Sequence, residues 1–420
     1  MLLKISTRWP ATGTLPPLSQ PFKKYIDDDS IVPTEVVLLN YQEWEYTSIG
    51  VDPTFEELVD YVNKHNSSLT IINGSVESSP LLYDNTNERY KNIKSVIYWP
   101  TYFLSSWYYK CKRETTTSHL SEDELIKEYN QEFNYLYMSL NNKPHPHRCL
   151  QFDLLVKSDL LKDGAVTWNS WFNAEGRKLE TSFYYPFKYW NPELLILDDT
   201  DIYWGWGTKL PKEIKNSFMQ LVNESAGHII IFSEKVVFPL FFNKLFLVSG
   251  AVNYHKELQK LGFVLYDDVF DYSFDSEPDL ETRYTMITAN LERLRGYSKE
   301  KLNELYTLSL SKIEHNKRNL ITISSQTKFI PNYIVDLCEN NPNFINDMDC
   351  YHFYKFIKSV EEEKSDASRM AAITQSLKNN PKKYAVLIAA LGLAGAALWL
   401  YNKENEVTPP SEKNSNHWSA

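Results

Sequence analysis

The sequence predicts an α/β protein built on parallel sheet. Apolar β-type runs alternate with helical segments from about residue 33 to about residue 297. Alternation of this kind implies helical crossovers between parallel strands. The 420 residues suffice for two or three domains with proper cores.

Residues 1–32, rich in Pro and polar residues, read as an irregular arm. A first lobe is expected over 33–145. In it "TEVVLLN" reads as a buried strand, "PTFEELVDYVNKHN" as a helix with Pro53 near its start, and "SLTIING" as a strand ending in a turn. "IKSVIYWP" is a further strand, stopped by Pro100. "SEDELIKEYNQEF" opens on a capping box, Ser121 with Glu124, and "NYLYMSLNN" is a short strand.

A second lobe is expected over 146–297. "HRCLQFDLLVKSDLL" reads as a helix closed by the turn "KDG", and "AVTWNSWF" is strand-like. "PELLILDD" and "KEIKNSFMQLVNES" lead into "HIIIFSEKVVFPLFFNKLFLVSG". There "HIIIF" reads as a strand, Ser233 caps a helix starting at Glu234, and Pro239 bends or shortens it. "KLFLVSG" is the next strand. "NYHKELQKLGF" is a short helix with Asn253 as cap and Gly262 at its C-terminal turn. "PDLETRYTMITANLERLRG" is a helix with an apolar stripe. Residues 298–380 are helical and charged, reading as an extension or spacer.

"YAVLIAALGLAGAALWLY", Tyr384 to Tyr401, carries no charge and is apolar on every face. At about 1.5 Å per residue it spans roughly 27 Å, near the lower limit for a membrane helix. Lys382 and Lys383 flank one end, and Trp399 and Tyr401 stand near the other. This predicts a single-pass anchor over 384–401, with the large N-terminal part cytoplasmic and 402–420 a polar tail.

The formal net charge is −10 and there is no Lys/Arg-rich block, so a nucleic-acid partner is not expected. The four cysteines form no CxxC pair. His145 and His147 lack a third ligand nearby in sequence, and no metal site is expected. P-loop, HExxH, GxSxG and GxGxxG signatures are absent.

Three clusters could carry chemistry. The Ser233-Glu234-Lys235 run opens a helix, where free N–H groups and partial positive charge suit an anion. Lys235 in a first turn is disfavoured by the helix dipole, a cost that a bound phosphate would offset. Read on spacing alone, the run is better taken as an ordinary helix cap. "NKPHPHRC" places His145, His147 and Arg148 at a helix start between the two lobes, where ligand clefts form. It is equally a turn with surface histidines. "YDDVFDYSFDSEPD" is acidic, with Asp267, Asp268, Asp271, Asp275 and Asp279, but lacks calcium-loop spacing.

Taken in order, these segments resemble a family of uncharacterised phage-encoded proteins whose C-terminal half looks like fucosyltransferase-type glycosyltransferases. The match runs over roughly residues 90–295. The quoted elements are Asn142 through Arg148, Glu224-Ser225, Ser233-Glu234-Lys235, and Asp271 through Asp275. The resemblance implies two Rossmann-like lobes in a GT-B-like arrangement and a nucleotide-sugar donor, GDP- or UDP-linked, with no permanently bound cofactor. It implies that Arg148, Ser233, Glu234, Lys235 and Asp275 bind the nucleotide-sugar, with Lys235 on a phosphate and Glu234 on the ribose. His147, Glu224 and Asp271 are the candidates for the catalytic base. The acceptor would be a glycan or a protein. One departure is Val236, where a Thr is common. The expected function is therefore a membrane-tethered glycosyltransferase-like protein. The alternative is a catalytically inactive module of the same fold, kept for interaction or structure.

Overall fold

A computed structural model describes residues 2–6, 32–40, 53–76, 87–100, 103–104, 133–141, 145–168, 188–189, 216–340, 354–359, 361–362 and 368. The chain divides into a unit of Met1–Lys358 and a unit of Ser359–Ala420, and the sheets lie in the first. Within that unit stand two four-stranded sheets, each wholly parallel, as the alternation of strands and helices requires.

The first sheet has the order β1 (Leu2–Ser6), β2 (Glu35–Asn40), β3 (Ser68–Asn73), β5 (Ile93–Tyr98). Helix α1 (Pro53–Lys64) connects β2 to β3. Its Phe55, Leu58, Val59 and Val62 repeat at helical spacing and pack on Val36, Leu38, Leu69 and Ile71. The alternate strand positions Val37 and Ile72 join the larger core on the other face. Leu2–Ser6, expected to belong to an irregular arm, is a strand instead, outermost in this sheet among the described residues. Five residues at a chain terminus are too short a run to show a period.

The second sheet has the order β10 (Leu245–Ser249), β8 (Ser217–Asn223), β6 (Tyr135–Ser139), β7 (Gly164–Val166). Helix α2 (Pro146–Lys157) crosses from β6 to β7. The chain then returns to the opposite side of β6, so the strand order reverses between β6 and β8. In open parallel sheets ligands bind outside the carboxyl ends of strands at such a reversal. All seven residues of β8 are buried, as a central strand covered on both faces demands.

The "HIIIF" segment differs from its expected place. Only Ile230–Ile231 is extended (β9), and it pairs antiparallel with β4 (Ser75–Val76), just past the end of β3. The sheet strand of this unit is "SFMQLVN". Helix α3 (Glu234–Phe241) follows, and its brevity agrees with Pro239 lying inside it. Helix α4 (Tyr254–Lys260) ends at Gly262, whose φ of 88° needs a residue without Cβ.

Helices α5 (Leu280–Arg295), α6 (Lys299–Ser324) and α7 (Asn332–Asn340) follow, and helical residues 354–359 add Tyr354 and Ile357 to the core. Within the stretch read as a helical extension or spacer, residues 299–324 and 332–340 are helical and also contribute core. Ile313 and Leu320 of α6 and Ile334 and Leu337 of α7 are buried with the second sheet. The hydroxyl of Tyr333 in α7 donates to Glu35 Oε1 of β2 at 2.9 Å, tying this helix to the first sheet. Among the described residues no helix is long and apolar enough to cross a membrane. The 384–401 segment, the Ser121 capping box and "PELLILDD" lie outside the described residues.

Candidate functional site

The carboxyl ends of β6 and β8 carry a buried polar cluster. Asn223, the last residue of β8, donates through Nδ2 to Asn141 Oδ1 at 2.7 Å and to Ser139 Oγ at 3.0 Å. The backbone N–H of Asn141 donates to Thr167 Oγ1 beyond β7.

Glu224 follows directly and is 1 % exposed. Its backbone carbonyl, with two lone pairs, accepts from His147 Nε2 at 2.8 Å and Arg148 Nε at 2.9 Å. These side chains stand in the first turn of α2. Pro146 opens that helix, where its missing N–H needs no acceptor. Burial, reinforced by the Arg148 charge, holds the His147 pKa well below the ordinary histidine range, so the ring is neutral with its proton on Nε2. His145 stacks on it at 5.7 Å between centroids.

The Glu224 carboxylate is engaged at both oxygens. Oε1 accepts from Tyr254 Oη at 2.7 Å and from the Ser233 N–H at 3.3 Å. Oε2 accepts from Ser233 Oγ at 2.7 Å and the Ser225 N–H at 3.1 Å. Ser233 caps α3 as expected, its Oγ accepting from the Lys235 N–H at 3.2 Å. Lys235 is half-buried, and its ammonium donates to Ser225 Oγ at 2.8 Å and Ser233 Oγ at 3.4 Å. The backbone of Glu234 opens α3, and its side chain lies outside the described residues.

Three residues that sequence reasoning passed over complete the cluster. Tyr254 supplies the hydroxyl on Glu224. Arg283, 4 % exposed, reaches the loops after β8 and β10. Tyr284 is fully buried, and its hydroxyl points toward Gly227 without a hydrogen-bond partner among the described residues. Gly227 itself has no space for a side chain: a Cβ there would meet His147 Cβ at 2.8 Å. Nothing in local spacing marks these contacts, because each joins positions far apart in the chain.

Asp275 and Asp271 stand elsewhere. Asp275 accepts from the backbone N–H groups of His255 and Lys256 at 2.9 and 3.0 Å, so it caps α4. Asn253, the expected cap, makes no side-chain cap bond and sits at φ 62°. Asp275 also accepts from His255 Nδ1 at 2.8 Å, while His255 Nε2 accepts from the Val248 N–H in β10 at 3.2 Å. Burial opposes ionisation of Asp275, but the His255 hydrogen bonds outweigh it and the pKa falls below the usual carboxylate value. Asp271 is exposed and accepts from the Ser273 N–H at 2.8 Å. It lines a separate cavity of about 810 Å³ with Asp267, Asp268, Arg293 and Lys312. Among the described residues no three His, Cys, Asp or Glu side chains gather as metal ligands.

The two parallel sheets and their covering helices make this an α/β fold, as the alternation of strands and helices predicts. No family model matches the chain, and no curated protein does. Among solved structures it is similar to an α1,3-fucosyltransferase crystal structure at 11 % identity, covering 74 % of this chain and 90 % of that one, with a TM-score of 0.31.

Proposed function

We propose that this chain is a glycosyltransferase-like protein that binds a nucleotide-sugar at the carboxyl ends of β6 and β8. The observation that carries this reading is the convergence of three motifs distant in sequence. His147-Arg148, Glu224-Ser225 and Ser233-Lys235 meet around a single glutamate at the reversal of strand order. Lys235 is the phosphate contact: its ammonium is half-buried and already held at the mouth of the loop. The Glu224 carboxylate occupies the Ser233 N–H that a phosphate would otherwise take, so the donor approaches from the Lys235 side. Arg148 and Ser233 shape this loop, and Glu234 takes the ribose as the sequence resemblance implies. Asp275 serves α4 in this reading and does not touch the donor.

Of the three base candidates, Glu224 has both oxygens committed and His147 is held neutral with Nε2 donating. Asp271 is exposed and bonded to Ser273, and it lies on the separate cavity. The donor is a GDP- or UDP-sugar, the acceptor a glycan or protein, and the 384–401 segment a membrane anchor.

The test is calorimetric titration of the full chain in detergent with GDP, UDP and their sugars. Micromolar binding that Lys235→Ala weakens at least tenfold is expected. No binding of any of them sinks the reading. Fractionation of cells expressing the full chain and a 384–401 deletion tests the anchor, and a full chain that is soluble without detergent defeats it.

A second reading is favoured by one observation. Phe103, between β5 and β6, packs on Phe232 at 5.8 Å and on Phe263 at 6.0 Å, and Phe232 packs on Tyr254 at 5.0 Å. Aromatic filling beside α3 and α4 suits an inactive module retained for interaction. Nucleotide binding without transfer to any acceptor would select it.

A further inference from the structure

Arg283 is buried, and its hydrogen bonds go to four backbone carbonyls on three separate loops. Nε donates to Gly250 O at 3.2 Å, just past β10. Nη2 donates to Gly227 O at 3.1 Å, in the loop between Glu224 and Ser233. Nη1 donates to Glu277 O at 2.6 Å and Pro278 O at 3.2 Å, ahead of α5. No carboxylate within ion-pair distance accompanies it among the described residues. A buried cation is costly unless hydrogen bonds satisfy it, and Arg283 makes four. Only a planar fork of five N–H groups can span acceptors so placed, and an ammonium with three donors cannot.

The loop that Arg283 holds is the one that presents Glu224 and Ser225 to Ser233 and Lys235. Its carbonyl at Gly227 is fixed by Arg283 on one side, while His147 and Tyr284 pack against the same glycine on the other. The strand-end loop after β10 is fixed by the same guanidinium. Displacing Arg283 therefore releases both loops together.

We propose that Arg283 is the positioning residue of the site, setting the loops after β8 and β10 so that Ser225 and Ser233 receive the Lys235 ammonium. As a claim about ligand binding this rests on the nucleotide-sugar reading. As a claim about the loops it stands apart from that reading.

The experiment compares the full chain with Arg283→Lys, Arg283→Gln and Arg293→Lys. Arg293 serves as control: it also donates to a backbone carbonyl, Val269 O, but lies on the separate cavity. Hydrogen exchange is followed for residues 224–229 and 250–252, and GDP and UDP affinity is titrated under conditions where circular dichroism shows each variant folded. Arg283→Lys should raise exchange in both loops at once and weaken nucleotide binding about tenfold, whereas Arg293→Lys should do neither. Exchange at both loops unchanged by Arg283→Lys overturns the proposal, as does an equal loss of affinity in Arg293→Lys. If Arg283→Lys fails to fold, Arg283→Gln carries the same comparison. Wild-type protein that binds neither nucleotide defeats the proposed function alone, and the exchange result still decides the role of Arg283.

Discussion

Glu224 and Lys235 share one hydroxyl. Ser233 Oγ donates to the Glu224 carboxylate at 2.7 Å and accepts from the Lys235 backbone at 3.2 Å and its ammonium at 3.4 Å. The glutamate thus supplies the negative charge that a helix N-terminus favours, from within the protein. Glu224→Gln keeps the shape but turns one acceptor into a donor facing hydrogen-bond donors. The expected loss of folding stability is about 1–3 kcal/mol, read as a lower urea midpoint at unchanged slope. A midpoint equal to wild type would show that the carboxylate is not needed.

His147 is buried as the neutral ring, its folded pKa depressed below that of the unfolded chain. Below about pH 6.5 the unfolded chain takes up a proton that the folded one refuses. Stability should therefore fall as pH drops below that value. His147→Gln, which keeps a donor for Glu224 O, should flatten this part of the acid slope. Equal slopes in urea titrations from pH 7 to pH 5 would remove His147 as the cause.

Lys244 is 2 % exposed, with its ammonium on Ser217 O at 2.9 Å and over the Phe133 ring at 5.3 Å. Burial lowers its pKa to about 7. An unfolded lysine titrates near pH 10.4. Between these values the unfolded state binds more protons, so stability rises with pH across the window and the penalty is complete below pH 7. Lys244→Met should stabilise the fold at neutral pH by a few kcal/mol, on the order expected from removing a buried charge. It should also remove most of the rise toward pH 10. A melting temperature lowered at pH 7 would contradict this.

Asp275 and Asp271 should separate cleanly. Asp275→Ala removes the α4 cap and the His255 partner and should cost about 1–3 kcal/mol. Because its folded pKa is depressed, that contribution is present above the unfolded carboxylate pKa and is lost as pH falls through the folded value. Asp271→Ala, on an exposed side chain, should change stability by about 0.5 kcal/mol or less. Neither variant should alter GDP or UDP affinity. A selective loss of affinity in Asp275→Ala would return that residue to the donor site.

What the sequence makes legible is local. The capped start at Ser233, the Pro239 that shortens its helix and the apolar strands "TEVVLLN" and "KLFLVSG" all announce themselves by spacing or turn chemistry. Motif order brings His147, Arg148, Glu224, Ser233 and Lys235 to one list, and the fold brings them to one place. The failures are of another kind. "HIIIF" has strand composition, but sheet membership is decided by which neighbours pair, and β8 takes the place beside β10. Asn253 has cap chemistry, yet a carboxylate from Asp275 outcompetes it across the fold. Arg283 looks like any helix-surface arginine until the loops it bonds are assembled around it. Charge density likewise disguises α6, whose buried stripe of Leu302, Leu305, Ile313 and Leu320 is thinned by polar positions.

The hydrogen bond from Tyr333 to Glu35 joins positions 298 residues apart. During synthesis at about 5–20 residues per second, the second strand waits roughly 15–60 s before that partner exists. A first sheet that forms as it is synthesised therefore stands for that time with one of its final contacts unmade. Helix α1 is the first of its coverings in chain order, while the face bearing Val37 and Ile72 is covered by residues made later.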